Sequence, residues 1–228
     1  MLANSRAPSS AQTGLHEDLA RLLERRASRP FLKPFAEYNR RAFFESMERR
    51  TRAAPGNPLI LDSCCGTGAL AVAIAETFPE CYVIGIDQSA ARIGKSPRHL
   101  PPNLDLVRAD LVDYWRLMRD AGVRLARHYL LYPNPWPKIG QLSRRWHAHP
   151  AFPPMLELGG RLECRSNWRI YIEEFCFSVR YLTGLDARCE AWRPIAAQTT
   201  FEKKYLESGH ELFRTVVHLV GTDPENSG

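Results

Sequence analysis

The chain has 228 residues, 44% hydrophobic and 25% charged, a composition able to bury a full α/β sheet between helical layers in one catalytic domain. No apolar run approaches the roughly 20 residues that span a bilayer, and the opening residues lack the charged-then-apolar order of a secretory signal, so no membrane partner and a cytoplasmic location are expected. The formal charge is +6, and residues 1–56 hold eleven Lys plus Arg against six Asp plus Glu, a local excess of +5 that fits either a polyanionic partner or a solvated helix face.

In chain order, residues 1–14 are rich in Ala and Ser and read as a disordered start. Residues 15–52 read as a basic helical extension: Leu15, Leu19, Leu22 and Leu23 recur at helical spacing, with Arg21, Arg25 and Arg26 on or beside the other face. Pro30 and Pro34 interrupt, and a second helix is predicted from Ala36 to Arg52 with Tyr38, Ala42 and Phe43 as its core face. Ala53–Pro58 is a linker, residues 53–221 form the main domain, and residues 222–228 are a tail.

From Leu59 the pattern becomes short β-rich runs between helices: Leu59–Asp62, Tyr82–Ile86, Leu104–Val107, Tyr129–Tyr132, Arg161–Cys164 and Thr215–Val220. Such alternation means an α/β fold with a doubly wound, mostly parallel sheet. The helix after Asn167 is the clearest, with Trp168, Tyr171, Ile172, Phe175, Val179 and Leu182 on one face. The six cysteines form no C-x-x-C pair and read as small buried hydrophobes, and no metal site is expected.

The strand Leu59–Leu61 ends at Asp62, and Gly66 and Gly68 then turn the chain into an apolar helix. Glycines there let backbone N–H groups approach a ligand. A second strand ends at Asp87, where a carboxylate can accept both hydroxyls of a ribose. Gly66, Gly68 and Ala71 also satisfy a dinucleotide-binding pattern. Asp62 separates the two readings, because an acid ahead of the turn would attract the ammonium of a methionine moiety and repel a pyrophosphate. The stretch resembles the acid-x-Gly-x-Gly-x-Gly motif of the class I methyltransferases, with Cys64 at the first glycine. That resemblance implies a Rossmann-like, seven-stranded sheet, S-adenosylmethionine as cofactor, and Asp110 near the adenine. Asp110 is equally suited to cap the helix starting at Leu111.

The fourth strand runs into Pro133, Asn134, Pro135, Trp136, Pro137 and Lys138, whose alternating prolines hold an extended backbone at a strand end. The segment is similar to the Pro-Asp-Pro-Trp-x-Lys signature of the bacterial tRNA guanine-N7 methyltransferases, and Arg144 and Arg145 follow at that family's spacing for a basic pair. Ser166, Asn167, Trp168 and Tyr171 resemble its Thr-Asp-x-x-x-Tyr element. Thr199, Thr200, Phe201, Glu202, Lys204, Gly209 and His210 resemble its Thr-x-Phe-Glu followed by Gly-His.

The resemblance implies methyl transfer to tRNA at guanine N7, with Asn134 in the catalytic loop and Trp136, Lys138, Arg144, Arg145, Asn167, Thr199 and Glu202 on the substrate side. Glu202 would accept from the guanine N1–H and amino group, and Lys138 and the Arg pair would hold phosphate. Asn134 and Asn167 stand where the family has Asp. An amide positions a base but stabilises a cationic product less, and Asn134 also suits a turn and Asn167 a helix cap. Asn134-Pro135-Trp136 further resembles the Asn-Pro-Pro-aromatic loop of methyltransferases acting on exocyclic amines of nucleobases. A catalytically inactive cofactor- and RNA-binding protein is the third reading. Both a monomer and a homodimer fit the sequence.

Overall fold

Leu59–Ser63 (β1) and Tyr82–Asp87 (β2) are buried at every position, as the inner strands of a parallel sheet must be. The structure, a computed structural model, describes residues 5–29 and 31–219. Leu104–Arg108 (β3), Arg127–Leu131 (β4), Gly160–Ser166 (β5), Glu190–Trp192 (β6) and Leu212–Leu219 (β7) complete a seven-stranded sheet of order β3-β2-β1-β4-β5-β7-β6. β1 runs parallel to β2 and β4, and β2 to β3, whereas β6 and β7 are antiparallel. The three-residue β6 is absent from the sequence reading, which is too short a span for alternation to register.

The helices are Leu19–Ser28 (α1), Glu37–Ala53 (α2), Ala69–Thr77 (α3), Ala90–Ile93 (α4), Leu111–Asp120 (α5), Phe152–Leu156 (α6), Arg169–Thr183 (α7) and Thr200–Glu207 (α8). The chain divides into two compact units. One is built on Lys33–Leu130 with Glu157–Leu162, and the other on Leu131–Leu156 and Glu163–Val217 with the stretch through Leu32. The two N-terminal helices belong to different units. In the first, α2 packs on α5 and β3. In the second, α1 packs on α7, and Leu19 and Leu23 bury against Leu142 and Ala148.

The core face of α2 differs from expectation. Phe43 is buried, but Tyr38 is 52% exposed and the buried neighbour is Asn39. Asn39 Nδ2 donates to Asp113 Oδ2 at 2.7 Å, and Asn39 Oδ1 accepts from Asp110 N at 2.9 Å. A fully satisfied amide costs little to bury, so the helix turns its polar residue inward. Leu15 is likewise exposed rather than packed. Cys81, Cys164 and Cys176 are buried as expected, whereas Cys64, Cys65 and Cys189 are only partly so.

Residues 5–14 fall within the stretch expected to be disordered. They have no regular secondary structure, yet Ser5, Ser10 and Gln12 all bond to the second unit's own body. The expected tail, residues 222–228, and the end of the last predicted strand at Val220 lie outside the described residues.

Candidate functional site

In the first unit, strands β1, β2 and β3 end next to one another, and Asp62, Asp87 and Asp110 lie at or just past those ends. Asp62 is 2% exposed and its Oδ2 meets no hydrogen-bond partner among the described residues. Burial first, and the charge of Asp87 second, push its carboxyl up to about 8. Between Asp62 and α3 the chain turns through Cys64 (φ +65°), Gly66 (φ +64°) and Gly68 (φ +78°). Cys64 thus holds the left-handed conformation that a glycine would adopt without strain. A Cβ on Gly68 would stand 2.5 Å from Leu106 Cδ1, so strand β3 closes one side of the turn.

Asp87 is more heavily engaged than expected. Its Oδ2 accepts from Gly66 N at 3.0 Å and its Oδ1 from Ser89 N at 2.8 Å, while Arg92 Nη2 lies 3.2 Å from Oδ1. The two backbone bonds fix the carboxylate and tie the glycine turn to the end of β2. Arg92 is 45% exposed and is the one partner able to swing aside for a ribose hydroxyl. Asp110 caps α5, accepting from Val112 N at 2.9 Å. A buried acceptor lacking a donor, beside a cradle that a side chain would fill, fits an adenosine-bearing ligand with a cationic amine. S-adenosylmethionine is such a ligand.

In the second unit, Tyr132 (φ +51°) starts the loop of prolines and Trp136 (φ +46°) sits at its middle, both left-handed without being glycine. Asn134 is exposed and closes the loop as an Asx turn, its Oδ1 accepting from Trp136 N at 3.3 Å. The Arg144 guanidinium lies 4.9 Å from the centroid of the Trp136 ring, and Lys138 and Arg144 are exposed. Asn134, Trp136, Lys138 and Arg144 therefore come together on one loop.

Four expected substrate contacts are placed otherwise. Arg145 is fully buried: it pairs with Glu174 at 2.5 Å, donates to Trp136 O at 3.1 Å and to Gln12 Oε1 at 3.0 Å, and packs over the Trp168 ring. Three of its five N–H donors are thus engaged in the interior.

Glu202 is also fully buried. Oε1 takes Tyr132 Oη (2.6 Å), Trp192 Nε1 (2.9 Å) and Arg165 Nη1 (3.0 Å), and Oε2 takes Gln198 N (2.7 Å). Burial alone would raise this carboxyl, but those donors and the Arg165 charge outweigh it and lower it. Both Glu202 oxygens are thus engaged by the protein itself.

Thr199 caps α8, accepting from Glu202 N at 2.9 Å. Asn167 does not cap α7; its Nδ2 lies 3.0 Å from His210 Nδ1, and Trp168 takes the cap position. These differences share a cause: a sequence shows that a residue is charged or polar, but not that its partner, tens of positions away, meets it in the interior. Tyr132, Arg165, Glu174 and His147 were missed for the same reason. A charged residue on the apolar face of α7, as Glu174 is, was the one available signal.

Among the described residues, four of the eleven basic residues of the N-terminal stretch pair with acids of the same stretch. Arg21 pairs with Asp18, Arg41 and Arg49 with Glu45, and Arg52 with Glu48. A groove of about 720 Å³ along α1 sets Arg21, Arg25 and Arg29 against Glu17, Asp18 and Glu24.

Residues 56–215 match a family profile described as "Putative methyltransferase". A tRNA (guanine-N(7)-)-methyltransferase of Acinetobacter baylyi is 27% identical over 183 residues, covering 74% of this chain and 73% of that protein. One from Treponema pallidum is 31% identical over 169 residues, covering 68% and 66%. Among solved structures, the 16S rRNA methyltransferase KamB superposes with a TM-score of 0.58 at 16% identity, covering 82% of this chain and 95% of that one, a likeness of fold. With a seven-stranded sheet, a glycine turn between acidic strand ends and a profile match over most of its length, the chain belongs to this family of class I, S-adenosylmethionine-dependent methyltransferases.

Proposed function

We propose that the chain transfers the methyl group of S-adenosylmethionine to tRNA, at N7 of a guanine. The relatives in Acinetobacter baylyi and Treponema pallidum that carry this activity in their names support the tRNA substrate. The observation that carries the reading is the loop after β4, which exposes Asn134 and Lys138 and sets exposed Arg144 over half-buried Trp136, on a backbone stiffened by three prolines.

S-adenosylmethionine supplies an electrophilic methyl group. Asp62 receives its amine and Asp87 its ribose, while Asp110 stays at the cap of α5 and frames the adenine side. Guanine N7 carries a lone pair and loses no proton on methylation, so the chain needs no general base, only alignment and a polar setting for the charge that appears on the purine. Asn134 uses its carbonyl on Trp136 N and keeps its amide hydrogens for guanine O6. Trp136 packs against the base or the cofactor, and Lys138 and Arg144 take backbone phosphate. Arg145, Asn167, Thr199 and Glu202 act one step back, by holding the elements that present these groups.

Transfer to an exocyclic amine would require the Asn134 carbonyl to accept from that amine in addition to Trp136 N. The test is incubation with labelled S-adenosylmethionine and unmodified tRNA, then identification of the methylated nucleoside by mass. We expect 7-methylguanosine. Label in N6-methyladenosine would overturn the N7 assignment, and absence of transfer to any RNA despite measured cofactor binding would favour a binding protein.

A further inference from the structure

The substrate loop holds a conformation that it does not favour by itself. Trp136 has φ +46°, a left-handed backbone that costs a bulky residue about 1 kcal/mol or more and persists only where its surroundings impose it. Asn134 and Arg145 bond the Trp136 backbone itself, and the irregular N-terminal stretch adds to them. Ser10 Oγ donates to Pro137 O at 2.5 Å, directly after Trp136. Gln12 bridges the other side: its Nε2 donates to Glu174 Oε1 at 2.6 Å and its Oε1 accepts from Arg145 Nη2 at 3.0 Å, while Arg145 Nε holds the carbonyl of Trp136 itself. His16 N adds a second donor to Glu174 Oε1.

Glu174, Arg145 and His147 are all fully buried, and His147 Nε2 lies 2.9 Å from Glu174 Oε2. Burial alone would raise the Glu174 carboxyl, but its bonds to His147 and Arg145 and the Arg145 charge outweigh it and hold the carboxyl well below the usual range. A buried ion pair is worth having only when its remaining donors and acceptors are satisfied. Gln12 supplies both an acceptor for Arg145 and a donor for Glu174. A further anchor lies at the far end of the stretch, where His210 Nε2 lies 3.0 Å from Ser5 O and His210 Nδ1 lies 3.0 Å from Asn167 Nδ2.

We propose that residues 5–16 are a positioning strap for the substrate loop, in which Gln12, through Arg145 and Glu174, and Ser10, through Pro137, set the backbone of Trp136. The inference deepens the tRNA-methylation reading and rests on it for its kinetic consequence, but not for its structural one. Gln12 and Ser10 are positioning residues and touch no substrate atom in this account.

The test uses the full chain with Ser10→Ala, Gln12→Met and the double variant. Gln12→Met keeps side-chain length and removes every bond that the Gln12 side chain makes. Amide hydrogen exchange in the peptide spanning residues 132–138, whose exchangeable amides include Asn134, Trp136 and Lys138, should quicken about tenfold in the double variant. Cofactor Kd should stay within about twofold and Tm within about 3 °C. With tRNA as substrate, kcat should fall about tenfold or more while KM changes by less than about threefold, because a misplaced loop loses alignment rather than affinity.

Unchanged exchange in this peptide would overturn the proposal. So would a parallel fall in Tm, cofactor affinity and kcat, since that pattern belongs to general destabilisation. A wild-type protein that transfers no methyl to tRNA would refute the functional reading, and the exchange measurement would still decide the strap.

Discussion

Asp62→Asn isolates the chemistry of the cofactor cradle. In the unliganded protein the Asp62 carboxyl titrates near 8 instead of the usual 3.8, because it is buried and faces the charge of Asp87. The folded state therefore holds a proton that the unfolded chain has given up between those two values. The stabilising contribution is complete below the lower value and is lost as pH rises through the upper one. At 1.36 kcal/mol per pKa unit the swing has an upper bound of about 6 kcal/mol.

The amide carries no charge, so Asp62→Asn should flatten this part of the stability profile and make the unliganded variant more stable than wild type near pH 8. The same exchange removes a buried carboxylate oxygen that lacks a donor among the described residues, and with it the charge-assisted bond proposed to the cofactor amine, about 2–3 kcal/mol or about 30–150-fold in Kd. Denaturation from pH 4 to 9, with titration calorimetry of the cofactor at pH 7, measures both. Parallel pH profiles for variant and wild type, or a Kd altered less than about threefold, would refute the assignment of Asp62.

Arg144 and Arg145 should separate cleanly. Arg144→Gln is expected to leave Tm unchanged, weaken tRNA binding and reduce the slope of log affinity against log salt by about one. Arg145→Met strands the buried Glu174 carboxylate and should cost about 3–5 kcal/mol of stability, read by urea denaturation. Asn134→Asp should leave cofactor affinity unchanged and retain or raise guanine-N7 transfer, since a carboxylate better stabilises the cationic purine; collapse of cofactor binding would show the loop to be misassigned. Cys64→Gly relieves a left-handed backbone at φ +65° and should keep cofactor affinity with stability within about 1 kcal/mol of wild type.

The cofactor side was the more legible part of the sequence because its signals are local. A buried strand ending in an acid, glycines at a turn and a second acid at the next strand end are short-range features, and even Cys64 could be placed as the side chain that the turn must tolerate. The substrate side depends on distant pairings. Nothing near Glu202 announces that Tyr132, Arg165, Trp192 and the Gln198 amide will enclose it, nor near Arg145 that Glu174 and Gln12 will. Charged residues were taken as exposed because most are, and the exceptions became visible only with their partners. Tyr38 and Asn39 exchanged roles on α2 for the same reason: hydrophobic periodicity does not register a polar residue buried with its hydrogen bonds satisfied.

Chemistry at N7 offers the most direct test of the functional account. A methyl group there leaves the purine cationic and its nucleotide open to chain scission by reduction followed by aniline. Unmodified tRNA treated with the protein and S-adenosylmethionine should acquire aniline-sensitive breaks at one or a few guanosines, in proportion to the label incorporated. Incorporated label without any break at guanosine would place the methyl on another atom and contradict the account.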